Sequence, residues 1–376
     1  MDDPRVGRMG RILIIGGYGA FGYRVAERLA RETDLDIVLA GRREAAARTA
    51  VARLRPSASA PLSAAAIDVE TITAADIGRL GPVVVVNASG PFQHQDYRLA
   101  EACIAAGAHY VDLADARAFV TGIGRLDAVA RSAGLSVISG ASTVPALSSA
   151  VVAHLAGDFD RLDSIAIAIS PGNSFDPGEA TTASILSYVG KPFTTRIDGR
   201  AAVVHGWQGL ARGAFPMLGA RWLGDVDVPD LDLLVQRYPG VASVRVRAGV
   251  EVAPFHLGLW ALSWLVRIGA VRDTARLARP LLAVKRRLSF LGSDRGGMTV
   301  TLAGDGRDGR QLQRRWHLAA CSGHGPYVPA IASVILARAL ARGDPPFIGA
   351  RPCVQLFPLG AFEAELADLD IRTGIA

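Results

Sequence analysis

Gly17, Gly19 and Gly22 lie in the stretch GGYGAFG with the spacing G-x-G-x-x-G. The residues before them, RILII, form a short apolar strand pattern, and those after them, FGYRVAERLA, repeat apolar side chains at helical spacing. A glycine turn between a strand and a helix can hold a diphosphate. Glycine at 17 permits a tight turn, glycine at 19 lets the backbone approach the ligand, and glycine at 22 lets the helix pack closely on the strand. The unpaired N–H groups of the helix start and the positive end of its dipole then attract the phosphates. Gly17, Tyr18, Gly19, Ala20, Phe21 and Gly22 are therefore the expected cradle of a dinucleotide.

A dinucleotide with a free ribose 2′-hydroxyl is usually met by an acidic residue about 20 positions further on. That position falls in LAGRR, where Arg42 and Arg43 stand and no carboxylate does. A planar guanidinium suits a 2′-phosphate, so the expected cofactor is NADP(H). In VVNASGPF, residues Asn87, Ala88, Ser89 and Gly90 close a later strand at its carboxyl edge, where sheets of this kind bind ligands. Asp68, ending AIDV, is a comparable candidate on the adenine side, and Thr143 is one near the nicotinamide. Hydride transfer needs a proton donor only where the product heteroatom does. His94 and Tyr97, after the GPF exit, and Asp112, ending HYVD, are the catalytic candidates. No metal-ligand pattern is visible, so none of these residues is read as a metal ligand.

These residues need a scaffold, and the first part of the chain supplies the pattern for one. RILIIGG, LDIVLAGR, SAAAIDV, PVVVVNASG, HYVDLAD and LSVISGAS read as strands, each separated from the next by a helical pattern. The continuous β-branched run PVVVVN is of the kind buried on both faces of a parallel sheet. The fold class expected is therefore α/β, a Rossmann-type doubly wound parallel sheet over residues 1–145. Beyond Pro145 the strands alternate apolar and polar residues, and MTVTLAGDGRDGRQLQRRWHLAA reads as a long hairpin. An α+β domain with a mainly antiparallel sheet is expected over 146–376, from which a helix around 325–343 returns to the first domain.

A chain of 376 residues is long enough for two such cores. Its formal charge of +6 is carried almost wholly by arginine, Lys191 and Lys285 being the only lysines. The arginines are scattered without a long basic run, so nucleic acid is not an expected partner. Cys103, Cys321 and Cys353 are odd in number and far apart, which implies neither a disulfide framework nor a zinc site and points to a cytoplasmic location. PFHLGLWALSWLVRIGAV, residues 254–271, is strongly apolar and runs into RDTARLARPLLAVKRRLSF. The leading expectation there is a buried or lid helix. The alternative is peripheral membrane contact through an interfacial segment at 254–290.

GGYGAFG, AGRR, NASGPFQHQDYRLAEACIAAGAHYVDLAD and SGASTVPALSSAV together resemble the saccharopine dehydrogenase/reductase-like superfamily. That family shows N-x-x-G-P-[FY], then A-C-[IV]-x-A-G, then Y-x-D. The matching residues are Asn87, Gly90, Pro91 and Phe92, then Ala102, Cys103, Ile104, Ala106 and Gly107, then Tyr110 and Asp112. The resemblance implies a nucleotide-binding domain followed by an α+β domain that often mediates dimerisation, hence a homodimer. It also implies an NAD(P)-dependent oxidoreductase acting at a C=N, C=O or C=C bond of a small or lipophilic substrate. The family's saccharopine reductases carry G-x-D-P-G where this chain reads GASTVPALSS, and its lysine-forming members use a lysine–histidine pair, whereas the first domain here has no lysine. Saccharopine is therefore not the expected substrate. The alternatives are a non-catalytic NADP(H)-binding sensor and a membrane-docked, lipid-linked enoyl reductase, a branch of similar fold.

Overall fold

The computed structural model describes residues 10–93 and 95–376. They form two compact units. The first comprises residues through Ala114, Phe119–Ser142 and Pro329–Cys353, and the second comprises Asp115–Ala118, Thr143–Val328 and Val354–Ala376. The range 146–376 thus includes a segment, Pro329–Cys353, that belongs with the first unit.

The first unit is built on β1 (Gly10–Ile15), β2 (Leu35–Gly41), β3 (Leu62–Ala66), β4 (Val84–Asn87), β5 (His109–Asp112) and β6 (Ser136–Ser139). All pair in parallel, in the order β6-β5-β4-β1-β2-β3. Ile12 to Ile15 and Val84 to Val86 are wholly buried, as strands covered on both faces require. The intervening helices include α1 (Gly22–Leu29), α2 (Glu44–Leu54), α3 (Ala74–Leu80) and α4 (Arg98–Ala105). Thr73 and Asp76 close a reciprocal capping box that starts α3. The stretch ARAFVTGIGRLDAVARSAG, which reads as one helix, is broken by a 3-10 turn at Ile123–Leu126, where Gly122 and Gly124 weaken helical continuity.

In the second unit, β7 (Phe159–Ser170), β8 (Pro192–Ile197), β9 (Arg200–His205), β10 (Ala211–Phe215), β11 (Gly219–Asp225), β12 (Ser243–Ala248), β13 (Gly296–Gly306) and β14 (Gln311–Ala320) build a mixed sheet. Among the described residues, its only parallel pair of strands is β7 with β12. The final two strands join different sheets. β15 (Gly349–Pro352) pairs in parallel with β6, and β16 (Ile371–Ile375) pairs antiparallel with β14. Ile165, Ile167, Val244, Val246, Val300 and Leu302 fill the inner face of the second sheet.

The helix preceding β15, Val328–Ala341, is fixed within the first unit by Arg342, whose guanidinium bonds Asp34 and Glu32. Ser333 Oγ also donates to the Ala141 carbonyl at 2.8 Å.

The apolar segment forms two helices, Ala253–Arg267 and Ala278–Arg287. Of the buried or lid helix expected there, the buried form is not what the first helix takes. Its buried side chains are His256 and Ser263, while Leu257, Trp264 and Leu265 are exposed. Among the described residues, no helix is long and apolar enough to cross a membrane.

Candidate dinucleotide site

The parallel register brings several of the expected residues to one edge of the first sheet. Ile15 lies level with Ala40 of β2 and Asn87 of β4, and Asn87 with Asp112 of β5. The chain leaving each strand's carboxyl end therefore emerges at a common crevice edge, where open parallel sheets bind their ligands.

The glycine turn begins one residue earlier than its spacing suggests. Gly16, not Gly17, takes the left-handed conformation, with φ of 79°. A Cβ at Gly16 would stand 2.7 Å from the Ala88 carbonyl, so the turn and the exit of β4 touch through backbone. Gly17 is hemmed in by the Ile14 carbonyl and by Leu39. A Cβ on Gly19 would meet the Gly16 oxygen at 3.1 Å and nothing else within van der Waals reach. Gly19 thus opens outward, and its N–H bonds the Gly16 carbonyl at 2.9 Å. The Tyr18 and Ala20 N–H groups make no backbone bond among the described residues. Phe21 stands at the N-terminal end of α1, whose first turn holds no acid. The Tyr18 and Ala20 peptide donors and a helix start without an acid leave a cradle suited to a diphosphate.

Tyr18 spans from this turn to the end of β2. Its ring occupies the space a Gly41 side chain would need, and its hydroxyl accepts a bond from the Arg43 N–H at 3.2 Å. The Arg43 guanidinium lies 5.7 Å from the centre of the same ring. Arg42 and Arg43 are exposed, and neither has a carboxylate partner among the described residues. Glu44, next in sequence, is already paired with Arg48 at 2.7 Å. Two available cations and no acid at the end of β2 fit a ribose phosphate better than a ribose hydroxyl. Asp68 lies beyond the end of β3, where its Oδ1 accepts from the Glu70 N–H.

The exit of β4 is tied down by its own side chains. Asn87 is buried; its Nδ2 donates to the Tyr110 hydroxyl at 3.1 Å, and its Oδ1 accepts from the Ser89 N–H and hydroxyl at 3.0 and 2.5 Å. Gln95 Nε2 then bonds the carbonyls of Ser89 and Pro91 across the cis Gly90–Pro91 peptide. Gln95 carried no signal in the sequence beyond its place after GPF.

Two of the catalytic candidates turn inward. Asp112 is wholly buried, and its Oδ1 accepts from the Ala114 and Gly140 N–H groups and from Ser139 Oγ. Burial pushes its carboxyl up to about 6, against those donors and the Tyr110 hydroxyl, which pull it down. Tyr97 is also buried. Its hydroxyl donates to the Phe119 carbonyl at 2.6 Å, its ring packs on Phe119, and Arg125 lies over it. Burial raises the Tyr97 hydroxyl, with Arg125 opposing. These bonds commit Asp112 Oδ1 and the Tyr97 hydroxyl to the interior of the first unit. His94 lies outside the described residues.

Thr143 falls in the second unit, at the start of the turn Thr143–Leu147. That unit has polar interior groups of its own. Asp115 accepts from Ser184 Oγ at 3.2 Å. Arg117 clamps Asp232 and Asp227 and bonds the Thr194 carbonyl. Asp230 is wholly buried, takes a bond from Ser148 Oγ, and is pushed up to about 7 by burial. The partners of Asp230 and Arg117 lie far away in sequence, so no local pattern could have revealed them. Arg221 is buried against Glu251, and Arg245 and Arg247 both bond Asp225, so these three arginines are committed to structure. Among the described residues, no cluster of His, Cys, Asp and Glu could hold a metal.

A parallel sheet with this glycine turn and basic pair defines a dinucleotide-binding domain of the class found in NAD(P)-dependent oxidoreductases. Residues 12–138 match the family described as the saccharopine dehydrogenase NADP binding domain. The match covers about a third of the chain and identifies its first unit as an NADP binding domain of the saccharopine dehydrogenase type. Its fold is similar to that of apo saccharopine dehydrogenase (L-Glu forming) from Saccharomyces cerevisiae, with a TM-score of 0.69 and 13% identity over 98% of this chain and 100% of that one. Looser likenesses reach GenD2 from gentamicin A biosynthesis in complex with NAD (TM-score 0.37, 15% identity, 83% of this chain and 75% of that one). Another reaches a short-chain dehydrogenase from Sphingobium yanoikuyae in complex with NADPH (TM-score 0.23, 22% identity, 27% of this chain and 52% of that one). No curated protein sequence matches the chain.

Proposed function

We propose that the protein transfers hydride between NADP(H) and a small or lipophilic substrate, at a C=N, C=O or C=C bond. When bound, the nicotinamide supplies or accepts the hydride. The N–H groups of Tyr18 and Ala20 and the start of α1 hold the diphosphate, with Gly17, Gly19, Phe21 and Gly22 shaping the approach. Arg42 and Arg43 take the 2′-phosphate, and Asp68 borders the adenosine. Asn87, Ala88, Ser89 and Gly90 set the β4 exit beside the dinucleotide, and Thr143 is proposed on the nicotinamide side. Asp112 acts as a positioning residue, since its carboxyl joins the ends of β5 and β6 through Ala114, Ser139 and Gly140.

The observation that carries this reading is the pairing of an open glycine turn with two unneutralised arginines at the end of β2. Calorimetric titration of the wild type with NADPH and NADH tests it, alongside Arg42→Asp and Arg43→Asp. The wild type should prefer NADPH, and each variant should lose about tenfold or more of that preference, as expected for a lost charge-assisted contact. An unchanged ratio would remove the arginines from the site, and silence with both nucleotides would overturn the cofactor reading. A homodimer and a cytoplasmic location are proposed with it. The family resemblance supports the first, and three free cysteines suited to a reducing compartment support the second.

A further inference from the structure

Apolar residues on a surface helix normally face the core and polar residues face water. The helix Ala253–Arg267 departs from that rule: His256 and Ser263 are buried and Phe255, Leu259, Trp260, Leu262 and Val266 half-buried, while Leu257, Trp264 and Leu265 are exposed. The apolar exposure continues along the chain. Ile268 is 72% exposed and Phe290 74%, and Leu281, Val284 and Leu291 are exposed too. Eight of the twelve large apolar residues exposed among the described residues fall between 257 and 291. Scattered exposed leucines need no explanation, but a concentration of this kind marks a surface that something covers.

Charge says what covers it. Residues 253–291 hold six arginines and Lys285 against a single acid, Asp273, a formal +6. The whole chain also carries +6, so the remainder is neutral. Glu179 and Asp176 pair with Arg279 and Arg286, and Asp273 with Arg276. Arg272 and Arg287 are exposed with no ion partner among the described residues. A second copy of the chain would bring like charge against like, which disfavours self-association through this face. An anionic lipid surface offers the complement, since headgroups attract arginines while the acyl boundary takes up leucine, tryptophan and phenylalanine.

We infer that residues 253–291 dock the protein on an anionic membrane surface, lying in the interface without spanning it. Flotation of the full-length protein with vesicles tests this without any nucleotide, so its outcome is separate from that of the cofactor titration. The protein should float with phosphatidylcholine vesicles containing phosphatidylglycerol, should not float with phosphatidylcholine alone, and should be released by salt. Ile268→Ser with Phe290→Ser should cut partitioning by about tenfold or more. Arg272→Glu with Arg287→Glu should do the same, whereas Val129→Ser, at an exposed valine elsewhere, should leave it unchanged. Melting temperatures confirm that the variants fold; if the apolar pair fails to fold, the charge reversals decide the question. The inference is overturned by no binding to either vesicle, by equal binding to both, or by a dimer that Ile268→Ser dissociates.

Discussion

A Cβ placed on Gly22 would stand 2.3 Å from the Gly16 carbonyl oxygen, closer than backbone can accommodate without moving. Gly19 meets that same oxygen at 3.1 Å and is otherwise open. Alanine should therefore act differently at the two sites. Gly22→Ala should destabilise the first unit by about 2 kcal/mol or more, as overpacking against fixed atoms does, and should also weaken nucleotide binding. Gly19→Ala should melt near the wild-type temperature yet lose NADPH binding. Thermal melts paired with NADPH titrations check both, and equal melting losses would contradict the assignment.

Tyr18 links the glycine turn to Arg43 through a hydroxyl contact and a ring contact. Tyr18→Ala should weaken NADPH binding by about fivefold, equivalent to about 1 kcal/mol, while NADH binding falls less. Tyr18→Phe, which keeps the ring, should lie between the two. Calorimetry with both nucleotides reads the difference, and equal losses would place Tyr18 outside the phosphate subsite.

Asp112 ionises near its ordinary 3.8 in the unfolded chain and at about 6 when folded. The folded state therefore holds the proton longer. The stability this group contributes is full below the unfolded value and is lost as pH rises through the folded one. The loss is about 2 kcal/mol between about pH 4 and about pH 7. Asp112→Asn keeps an oxygen acceptor for Ala114, Ser139 and Gly140 but cannot ionise. Denaturant midpoints at the two pH values should show the variant gaining on the wild type as pH rises. A difference that stays constant with pH would sink the prediction.

Tyr97→Phe removes the bond to the Phe119 carbonyl and should cost about 1 kcal/mol of stability. The kcat should be unchanged once a substrate is found, because the hydroxyl is committed to the interior. A fall in kcat of about a hundredfold, the scale of a lost acid–base group, would restore Tyr97 as a proton donor.

The parallel sheet was legible because strands buried on both faces leave unbroken apolar runs, as in VVVVN and ILII. The glycine turn was legible for the same contextual reason, but which glycine takes the left-handed conformation was not. Gly16 and Gly17 are neighbours, and only the end of β1, with Gly16 and Gly17 both bonding the Ala40 carbonyl, decides between them. The setting of Asp112 was not legible because a polar residue closing a strand looks identical whether it faces water or three interior donors, and that of Tyr97 was not because its acceptor, the Phe119 carbonyl, lies 22 residues away. The contacts Ser148–Asp230 and Arg117–Asp232 join residues distant in sequence, and pattern carries no such information. The exposure of the Ala253–Arg267 helix was not legible in composition, because apolarity predicts that something covers a helix without saying whether the cover belongs to the chain.

β6 finds its outer neighbour in β15, a segment translated roughly two hundred residues later. Until Gly349–Pro352 leaves the ribosome, the nascent first sheet presents the bare N–H and C=O groups of β6, the kind of margin that invites mispairing with other chains. Its assembly must therefore finish after most of the second unit has been synthesised. A fragment cut after the sixth strand would carry that unprotected margin permanently and should be prone to aggregate.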